Sequence, residues 1–550
     1  MFGRPLLVAA AILVAGLSLT ACRPQTRAPC PAGERCLEYG NTSDPQTLDP
    51  QLAQTVNEAA ILRELFFGLY IDGQDGSPQL GLAESFQTSS DGLTWTFKLK
   101  PWRWSDGVPL TADDFVFAYR HMLDPKTGSA YAYLLNVLKN GQEANSGKAP
   151  LESIGVKALD AETLQLTLAH PASYLPQLLK HQAFYPVPAH AVRRWGARWV
   201  DPSHYVDNGP YVLTAWRLGD YVRIQKNPYF AGSDKLCFDR VNFYPTVDVV
   251  AAEHEVLAGQ LDLNSSVQSN RVRRLRDNPK SAPYVRTHSY LYSNYLALNL
   301  SDVPALKDIR VREAIAMAID RDFIAHKVLA GAGVLPSYAF VPPGIAGYVP
   351  LDQRPHMRWS TEPLAQRQDE ARERMAAAGY GPNHRLKLEL KTFISLAAPV
   401  TGQAIQSDLK AIYIDIDFRM EDGVVVFDDY NQRNFQLGSA GWIADYNDPM
   451  TYLALMQSKT GAQNYGDYSN PRYDALLAAA DNEPDGAKRA LDLAQAEQMM
   501  LDDVNIVPLL TTGSINLINP NITGWVDNDA DIHPIRALCP KLGWQPVGHN

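Results

Sequence analysis

Alternating hydrophobic and polar positions predict strands at several places along the chain. Leu93–Leu99 and Gly155–Ala169 alternate apolar with polar side chains, which is typical of half-buried strands. Tyr211–Gln225 shows a similar pattern on both sides of Gly219-Asp220, so we predict a hairpin that turns there.

Helical spacing of apolar residues predicts helices between these strands. Asn57–Leu69 carries apolar residues at helical spacing, and residues 307–330 have the pattern of one amphipathic helix. Thr111 precedes acidic residues and is typical of a helix N-cap. Because strands and helices are mixed throughout, with no repeat period and no low-complexity linker, we predict interleaved α/β domains.

The N-terminal residues predict an exported lipoprotein. Leu6–Ala15 is apolar but too short to cross about 30 Å of hydrocarbon as a helix. The LTAC sequence that ends at Cys22 is typical of a lipobox, in which the cysteine is acylated and becomes the mature N-terminus. We therefore predict a signal peptide over 1–21 and a tether over 22–36. An ordinary secretory signal beside a cysteine is the alternative.

Composition narrows the function classes. The 550 residues include 50 Lys+Arg and 60 Asp+Glu, giving a net charge of −10, and 46% are hydrophobic. This composition is globular, and the length suggests about three to four domains or one large discontinuous body. The acidic balance argues against nucleic-acid binding, which needs a basic face.

The remaining cysteines suggest disulfides. Beyond Cys22 the chain has Cys30, Cys36, Cys237 and Cys539, an even number that suggests two bridges in an oxidising compartment, with three possible connectivities. A small loop between Cys30 and Cys36 is geometrically easy, which would leave Cys237 for Cys539. The spacings are not those of a zinc site.

Catalytic and metal motifs do not emerge. The sequence has no GxSxG, no P-loop and no GxGxxG, so an enzyme is disfavoured and we expect no catalytic residues and no cofactor. Asp527, Asp529 and Asp531 resemble the start of a calcium loop, but Ile532 stands where glycine is required. We interpret this segment as a solvated acidic turn. The 12 histidines form no evident cluster in the sequence, and we expect no metal.

Several short blocks, taken together and in order, resemble the bacterial extracellular solute-binding proteins of family 5, which serve peptide ABC importers. The nearest likeness is to periplasmic oligopeptide-binding proteins. The blocks are DPQTLDP at 44–50, LFFGL at 65–69, GLAESF at 81–86, WTFKL at 95–99, WSDG at 104–107, TADDF at 111–115, NGPY at 208–211, DIRVR at 308–312, AIDR at 318–321, AGWIADYNDP at 440–449 and YSNP at 468–471.

The resemblance implies an α/β, periplasmic-binding-protein fold (type II, cluster C) of the Venus-flytrap kind, with two lobes plus an extra domain. The lobes would close about crossing strands near 290 and 512. Cys237 and Cys539 would share a lobe, which supports their pairing. The implied domains are domain I over 37–66, 190–291 and 513–550, domain II over 67–189, and domain III over 292–512.

The resemblance also implies a function. We expect a monomeric, lipid-anchored protein of the periplasm, or of the outer face of the cell membrane in a Gram-positive cell. It would capture peptides in a closing cleft and deliver them to the membrane permease of an ABC importer. The alternatives are an exported peptide hydrolase, a chaperone-like protein, or a binder of dipeptides, murein peptide or a metal chelate.

Matching the blocks suggests how a peptide would be held. Ser439, Gly441 and Ile443 would lie on a strand that exchanges main-chain hydrogen bonds with an extended ligand, and their spacing of two suits one strand edge. Asp445 matches the carboxylate that holds the ligand's α-amino group in this family. A surface or helix-capping acid is the alternative for Asp445.

The same matching gives further binding residues. Tyr131 and Trp442 would be pocket walls, although ordinary core is the alternative for Trp442. Tyr292 and Tyr295 at the start of domain III are also candidates, and Gln54 occupies the place of an acidic residue in the nearest members.

Some positions depart from the family pattern. Ser439 stands where the nearest members carry an arginine, Ile443 replaces a cysteine, and residues 510–512 replace a run of tyrosines. The anchor for the ligand's N-terminus is thus intact, whereas the groups around its other end are altered. The resemblance therefore does not transfer a ligand length or charge preference.

Overall fold

Two large mixed sheets and one smaller antiparallel sheet organise the chain. The computed structural model describes residues 30–172, 174–329, 333–395, 397–483 and 485–543. The mixture of strands and helices confirms the predicted α/β class.

Each sheet has its own order of neighbouring strands, from one edge to the other. The seven-stranded sheet contains Tyr211–Arg217, Tyr221–Lys226, Arg240–Tyr244, Cys36–Gly40, Leu263–Asn264, Ser514–Ile518 and Val285–His288. The six-stranded sheet contains Leu335–Pro336, Ile506–Thr511, Tyr292–Leu298, Leu437–Ile443, Leu386–Phe393 and Ile414–Glu421. The four-stranded sheet contains Ala83–Thr88, Thr94–Leu99, Thr163–Thr167 and Val156–Asp160. Short pairs join Tyr70–Asp72 to Pro78–Leu80, Trp102–Arg103 to Pro109–Leu110, and Ile522–Thr523 to Cys539–Pro540.

Helices cover the sheets and connect their strands. The longer ones are Val56–Leu65, Ala112–Leu123, Val249–Leu257, Ile309–Ala318, Leu364–Ala377, Ala398–Lys410, Gly423–Asn431, Pro471–Asp481 and Gly486–Asp502. The shorter ones are Gly141–Asn145, Leu175–Leu179, Ala189–Trp195, Val272–Asp277, Pro304–Lys307, Arg321–Phe323 and Met450–Leu453. None of the helices in these described parts is both long and apolar enough to cross a lipid bilayer.

The chain crosses between the two large sheets twice. Strand Val285–His288 of the seven-stranded sheet is followed by strand Tyr292–Leu298 of the six-stranded sheet, and Ile506–Thr511 is followed by Ser514–Ile518 in the reverse direction. Both crossings lie near the predicted positions. Two short connections that run in opposite directions between two sheets are suited to hinge motion. The boundaries of the three domains stay a prediction.

Local sequence patterns predict most of these elements. The hairpin turns at Gly219, whose φ of +73° is readily adopted by glycine. Thr111 caps helix Ala112–Leu123 in a capping box with Asp114, as its position predicts. The helix that starts at Val56 ends at Leu65, earlier than predicted.

The single helix predicted over 307–330 is wrong. The helix ends at Ala318, and Asp320 caps a separate turn by accepting a backbone N–H. Arg321 is fully buried and donates to the carbonyl of Ala316 at 2.9 Å. Its guanidinium therefore satisfies a backbone oxygen that the interruption leaves without a helical partner.

Two disulfides are present. One joins Cys30 to Cys36, and the other joins Cys237 to Cys539 across a sequence separation of 302. The second ties the C-terminal segment to the seven-stranded region. The predicted lipidation site Cys22, the signal peptide and the first part of the tether lie outside the described residues.

Candidate ligand-binding cleft

A cavity of about 810 Å³ lies between the two large sheets, and we call it the cleft. Its volume is within the range of roughly 300–1,000 Å³ that is usual for ligand sites. Residues from all three regions of the chain line it. They include Tyr39, Gln54, Arg63, Asp531 and His533 from the region of the seven-stranded sheet, Tyr131 and His181 from the region of the four-stranded sheet, and Tyr292, Phe393, Tyr430, Gly441, Trp442, Ile443, Asp445 and Tyr465 from the region of the six-stranded sheet.

Strand Leu437–Ile443, the cleft strand, presents a partly open edge to this cavity. On one side it pairs with Tyr292–Leu298 along its whole length. On the other side its neighbour Leu386–Phe393 pairs only with Leu437 and Gly438. The rest of that edge is available for a further strand.

The hydrogen bonds around the cleft strand show which residues use the open edge. The Ala444 N–H donates to Leu291 O at 2.9 Å, and Ala440 O accepts from Asn294 Nδ2 at 2.9 Å, so these even-numbered residues face the paired strand. Ser439 O instead accepts from Tyr430 Oη on the opposite side. Because backbone groups alternate in direction along a strand, the N–H and C=O groups of odd-numbered residues 441 and 443 point to the open edge.

Gly441 leaves room for a tyrosine ring on one face of the cleft strand. A Cβ atom at this position would collide with the ring of Tyr292, which lies over the glycine. Tyr292 is opposite Ile443 in the ladder, so the ring covers the neighbouring part of the strand. A glycine is therefore required where the tyrosine and the cleft strand meet.

Asp445 follows the cleft strand and is enclosed by polar aromatic groups. Its side chain is 8% exposed. Tyr131 Oη donates to Oδ1 and Tyr133 Oη donates to Oδ2, each at 3.4 Å. His181 Nε2 lies 3.5 Å from Oδ1. These distances exceed the roughly 2.5–3.0 Å of a tight O–H···O bond, so the carboxylate is only weakly satisfied.

The groups around Asp445 donate hydrogen bonds but bring no positive charge. Burial, together with the Asp445 carboxylate, raises the pKa of Tyr131 and Tyr133, so both phenols stay protonated. His181 Nδ1 accepts from the Ala183 N–H, so the single ring proton of the neutral imidazole is on Nε2 and faces Asp445. No lysine or arginine nitrogen of the described residues lies within 4.0 Å of this carboxylate. A cation from outside would complete the site.

The structure brings most of the predicted binding residues into one place. Lining the cleft are Gln54, Tyr131, Tyr292, Gly441, Trp442, Ile443 and Asp445. Two others are not among the lining residues. Ser439 lies farther along the strand, where its carbonyl is bonded to Tyr430, and Tyr295 is buried against Phe340 with its ring edge-on.

Sequence reasoning missed two of the three partners of Asp445, namely Tyr133 and His181. Tyr133 follows Tyr131 by two positions, but nothing in the local pattern indicates that its hydroxyl reaches a residue 312 positions away. His181 is a lone histidine with no motif around it. Neither gives a signal in a single sequence.

A second carboxylate in the cleft, Asp531, has a different setting. Its Oδ1 lies 3.1 Å from His288 Nε2 and 2.9 Å from His533 Nε2. Burial alone would raise the pKa of Asp531, but the attraction of the two neighbouring histidines holds it well below its usual range. The side chain is 16% exposed, so the prediction of a solvated turn is wrong for Asp531. Although the sequence shows no histidine cluster, the fold places two histidines at this carboxylate.

Positive charge is scarce in the cleft. Arg63 is the one arginine or lysine among the described residues that line it. Its Nε donates to Asp72 at 3.1 Å, outside the lining set. The balance of Arg63 against Glu64, Asp445 and Asp531 makes the lining acidic.

Comparison with known proteins agrees with this geometry. The sequence model described as bacterial extracellular solute-binding proteins, family 5 Middle, matches residues 77–464. The chain is 33% identical to the periplasmic oligopeptide-binding protein of Escherichia coli strain K12 over 534 residues, which cover 95% of this chain and 96% of the relative. This relative is named as a binding protein.

Two solved structures differ in how well they superpose. The oligopeptide-binding protein of Haemophilus influenzae in complex with the peptide RPPGFSPFR has a TM-score of 0.88 at 28% identity, covering 92% of this chain and 99% of the other. The unliganded open form of the murein tripeptide binding protein of Escherichia coli has a TM-score of 0.65 at 31% identity, covering 92% and 98%. The Haemophilus influenzae protein is less identical to this chain and yet superposes better. The difference in TM-score therefore reflects conformation and not sequence similarity. This chain therefore superposes better on that peptide complex than on that open, unliganded form.

Proposed function

Since the chain belongs to the bacterial extracellular solute-binding proteins of family 5, we propose that it captures peptides in the cleft and delivers them to the membrane permease of an ABC importer. The observation that carries this proposal is the enclosed Asp445 carboxylate, which has no lysine or arginine of the described residues within 4.0 Å, at the end of a strand whose edge is partly open. Asp445 and the edge would recognise the two features that all peptides share, a charged amino terminus and a regular backbone.

The open edge binds the peptide backbone. An extended peptide placed beside the cleft strand exchanges N–H and C=O bonds with Gly441 and Ile443, as a further strand of the six-stranded sheet. These bonds do not depend on the ligand's side chains, so they allow many sequences. The aromatic lining, which includes Trp442, supplies apolar contact for the side chains.

Asp445 binds the α-ammonium group of the ligand. An enclosed carboxylate with neutral donors is stabilised by a cation that enters the closed site, and the ammonium group supplies three further donors. Loss of one partner of such a buried pair costs about 3–5 kcal/mol. The anchor fixes the start of the peptide against the strand and therefore fixes its register.

Closure about the two crossings couples binding to transport. The lining residues come from both sides of the crossings at 289–291 and 512–513, so only the closed arrangement surrounds a ligand. The better superposition on a peptide complex than on an open unliganded form supports a closed ligand-binding state. The permease would recognise the closed protein and open it for release.

Cys22 carries a lipid anchor that keeps the protein at the membrane. The support for this part is the LTAC sequence that ends at Cys22. Mass spectrometry of the membrane-extracted protein tests it, because the N-terminal peptide should begin at Cys22 and carry acyl chains. A Cys22→Ser variant should be recovered without that modification. An N-terminus at any other residue would contradict the anchor.

Titration of ligand-free protein with short peptides of increasing length tests the proposal as a whole. We expect saturable binding, one peptide per chain, and complete recovery of the intact peptide by chromatography and mass spectrometry. Cleaved peptide would favour the exported hydrolase. Absence of binding to any peptide with a free amino terminus would overturn the proposed function.

A further inference from the structure

The His288, Asp531 and His533 side chains form a cluster that the peptide-binding function does not use. Each offers one ligand atom, and these atoms all lie within 4.8 Å of one another. Two imidazole nitrogens and one carboxylate oxygen are the donor set that proteins offer to first-row divalent metals. The cluster joins two segments that are far apart in sequence, so the fold creates it.

The distances suit a single ion. Zinc binds histidine nitrogen and carboxylate oxygen at about 2.0–2.2 Å, so two ligands at tetrahedral angles are roughly 3.3 Å apart. Asp531 Oδ1 is 3.1 Å from His288 Nε2 and 2.9 Å from His533 Nε2. Small side-chain rotations would therefore place all three groups around one metal ion.

The orientation of the His288 ring suits a metal ligand. Its Nδ1 lies 2.9 Å from the carbonyl oxygen of Ser289, which can only accept, so Nδ1 carries a proton. Nε2 is therefore the ring nitrogen that faces the Asp531 carboxylate, 3.1 Å from Oδ1. Nε2 is buried, and among the described residues it has no aligned hydrogen-bond partner. A metal ion bound to Nε2 would give this buried nitrogen a partner.

The surrounding groups resemble the outer shell of a metal site. The Nδ1 bond to a backbone carbonyl fixes the orientation and tautomer of His288. Asn516 Nδ2 donates to Asp531 Oδ1 at 2.9 Å and holds the carboxylate. The His533 ring stacks on Trp525 with ring centroids 3.5 Å apart. All three candidate ligands are thus positioned by contacts outside the cluster.

We propose that His288, Asp531 and His533 bind one divalent transition-metal ion of the zinc class. Since Asp531 and His533 line the cleft, the remaining coordination positions of the ion face the cavity. This inference goes beyond the proposed function and does not require a peptide ligand. A bound ion would add positive charge to a cleft whose lining is acidic.

Zinc binding to the metal-stripped full-length protein tests the proposal, with calorimetry as the readout and no peptide present. We expect one saturable Zn²⁺ site per chain. His288→Gln and His533→Gln should each weaken it at least tenfold, because each removes one of three ligands. His190→Gln is the matched control, since His190 pairs with Asp106 near the surface. The zinc affinity of this variant should stay within twofold of that of wild type.

A second readout does not depend on the folding of the histidine variants. Ni²⁺ bound to His533 should quench the fluorescence of Trp525, which stacks on that ring. Quenching should be saturable in wild type, be reversed by EDTA, and lose its saturable component in Trp525→Phe. Zinc affinity that is equal in wild type and both histidine variants, or quenching that is unchanged in Trp525→Phe, would overturn the proposal. Because peptide is absent, failure of zinc binding leaves the peptide titration as a separate test.

Discussion

Two carboxylates line the same cleft, but the protein treats them in opposite ways. Asp531 lies 2.9–3.1 Å from two histidine nitrogens that can carry positive charge. Asp445 faces two phenols and a histidine whose geometry is that of the neutral ring, at 3.4–3.5 Å. The first carboxylate is compensated within the protein, whereas the second is left short of a cation.

The difference separates structural charge from binding charge. A carboxylate that is paired with a cationic side chain of the same protein contributes to the stability of the fold, because the pair is present whenever the protein is folded. A carboxylate held by neutral donors keeps its attraction for an external cation, and closure of the cleft strengthens that attraction by excluding water. Changes to either carboxylate or to its partners should therefore have separable effects on binding and stability.

The largest expected effect is the loss of peptide affinity in Asp445→Asn. The amide keeps the shape of the side chain but removes the charge that holds the ligand's ammonium group, so binding should weaken at least a hundredfold, equivalent to about 3–5 kcal/mol. Calorimetric titration with one short peptide measures this. The melting temperature without ligand should hardly change, because no lysine or arginine of the described residues pairs with this carboxylate.

N-acetylation of the peptide provides the control for that variant. It removes the ammonium group from the other partner and should cause a similar loss in wild type. In Asp445→Asn the acetylated and free peptides should bind almost equally, since the two changes affect one interaction. Independent, additive losses would contradict the assignment of Asp445.

The next largest effect is a loss of stability in Asp531→Asn. Removing hydrogen bonds between a carboxylate and histidines should lower the unfolding free energy at neutral pH by about 1.5–3 kcal/mol. The folded-state pKa of Asp531 is lowered, so its contribution is complete above the ordinary carboxyl pKa of about 3.9 and is lost as the pH falls through the lowered pKa. Denaturant unfolding of both proteins over an acidic pH series measures the difference.

Two results would show that the contrast between the carboxylates is wrong. One is equal stability of Asp531→Asn and wild type at neutral pH. The other is a difference in unfolding free energy between the two proteins that grows as the pH falls. Stability comparisons should be made in metal-free buffer, because a bound ion would add its own stabilisation.

A smaller effect should follow from a change in the ligand backbone. Replacing the ligand amide that lies beside Gly441 and Ile443 by an ester removes one N–H donor of the peptide. Peptide affinity should then fall by up to about tenfold. An ester at a peptide bond beyond the cleft strand serves as the control. If both esters bind as well as the amide, the open edge is not the binding edge.

The smallest expected effect is that of Ser439→Ala. The hydroxyl is not in the lining of the cleft, and the Ser439 carbonyl already accepts from Tyr430 Oη. Peptide affinity should therefore stay within about twofold of wild type, because the backbone is unchanged. A large loss would indicate that the serine hydroxyl contacts the ligand directly.

Local sequence patterns predict the part of the site that is contiguous in the chain. The cleft strand and Asp445 fall within residues 437–445, so their spacing alone places them along one edge. The hairpin at Gly219 and the cap at Thr111 are local for the same reason. These features depend on neighbours within a few positions, which a single sequence contains.

Long-range contacts decide what the sequence does not predict. Tyr133 reaches Asp445 across 312 positions, and His288 lies 3.1 Å from Asp531 although the two residues are far apart in the sequence. The predicted helix over 307–330 is broken near Arg321, whose buried guanidinium donates to the carbonyl oxygen of Pro508 on strand Ile506–Thr511. Periodicity does not contain such contacts.

Mass spectrometry of the small molecules released when purified protein is denatured tests the central claim most directly. An uncompensated carboxylate beside an open strand edge predicts a mixture of short peptides of unrelated sequence, all with free amino termini. A single defined compound without an amino group would contradict the account, because neither Asp445 nor the backbone edge would then explain its binding.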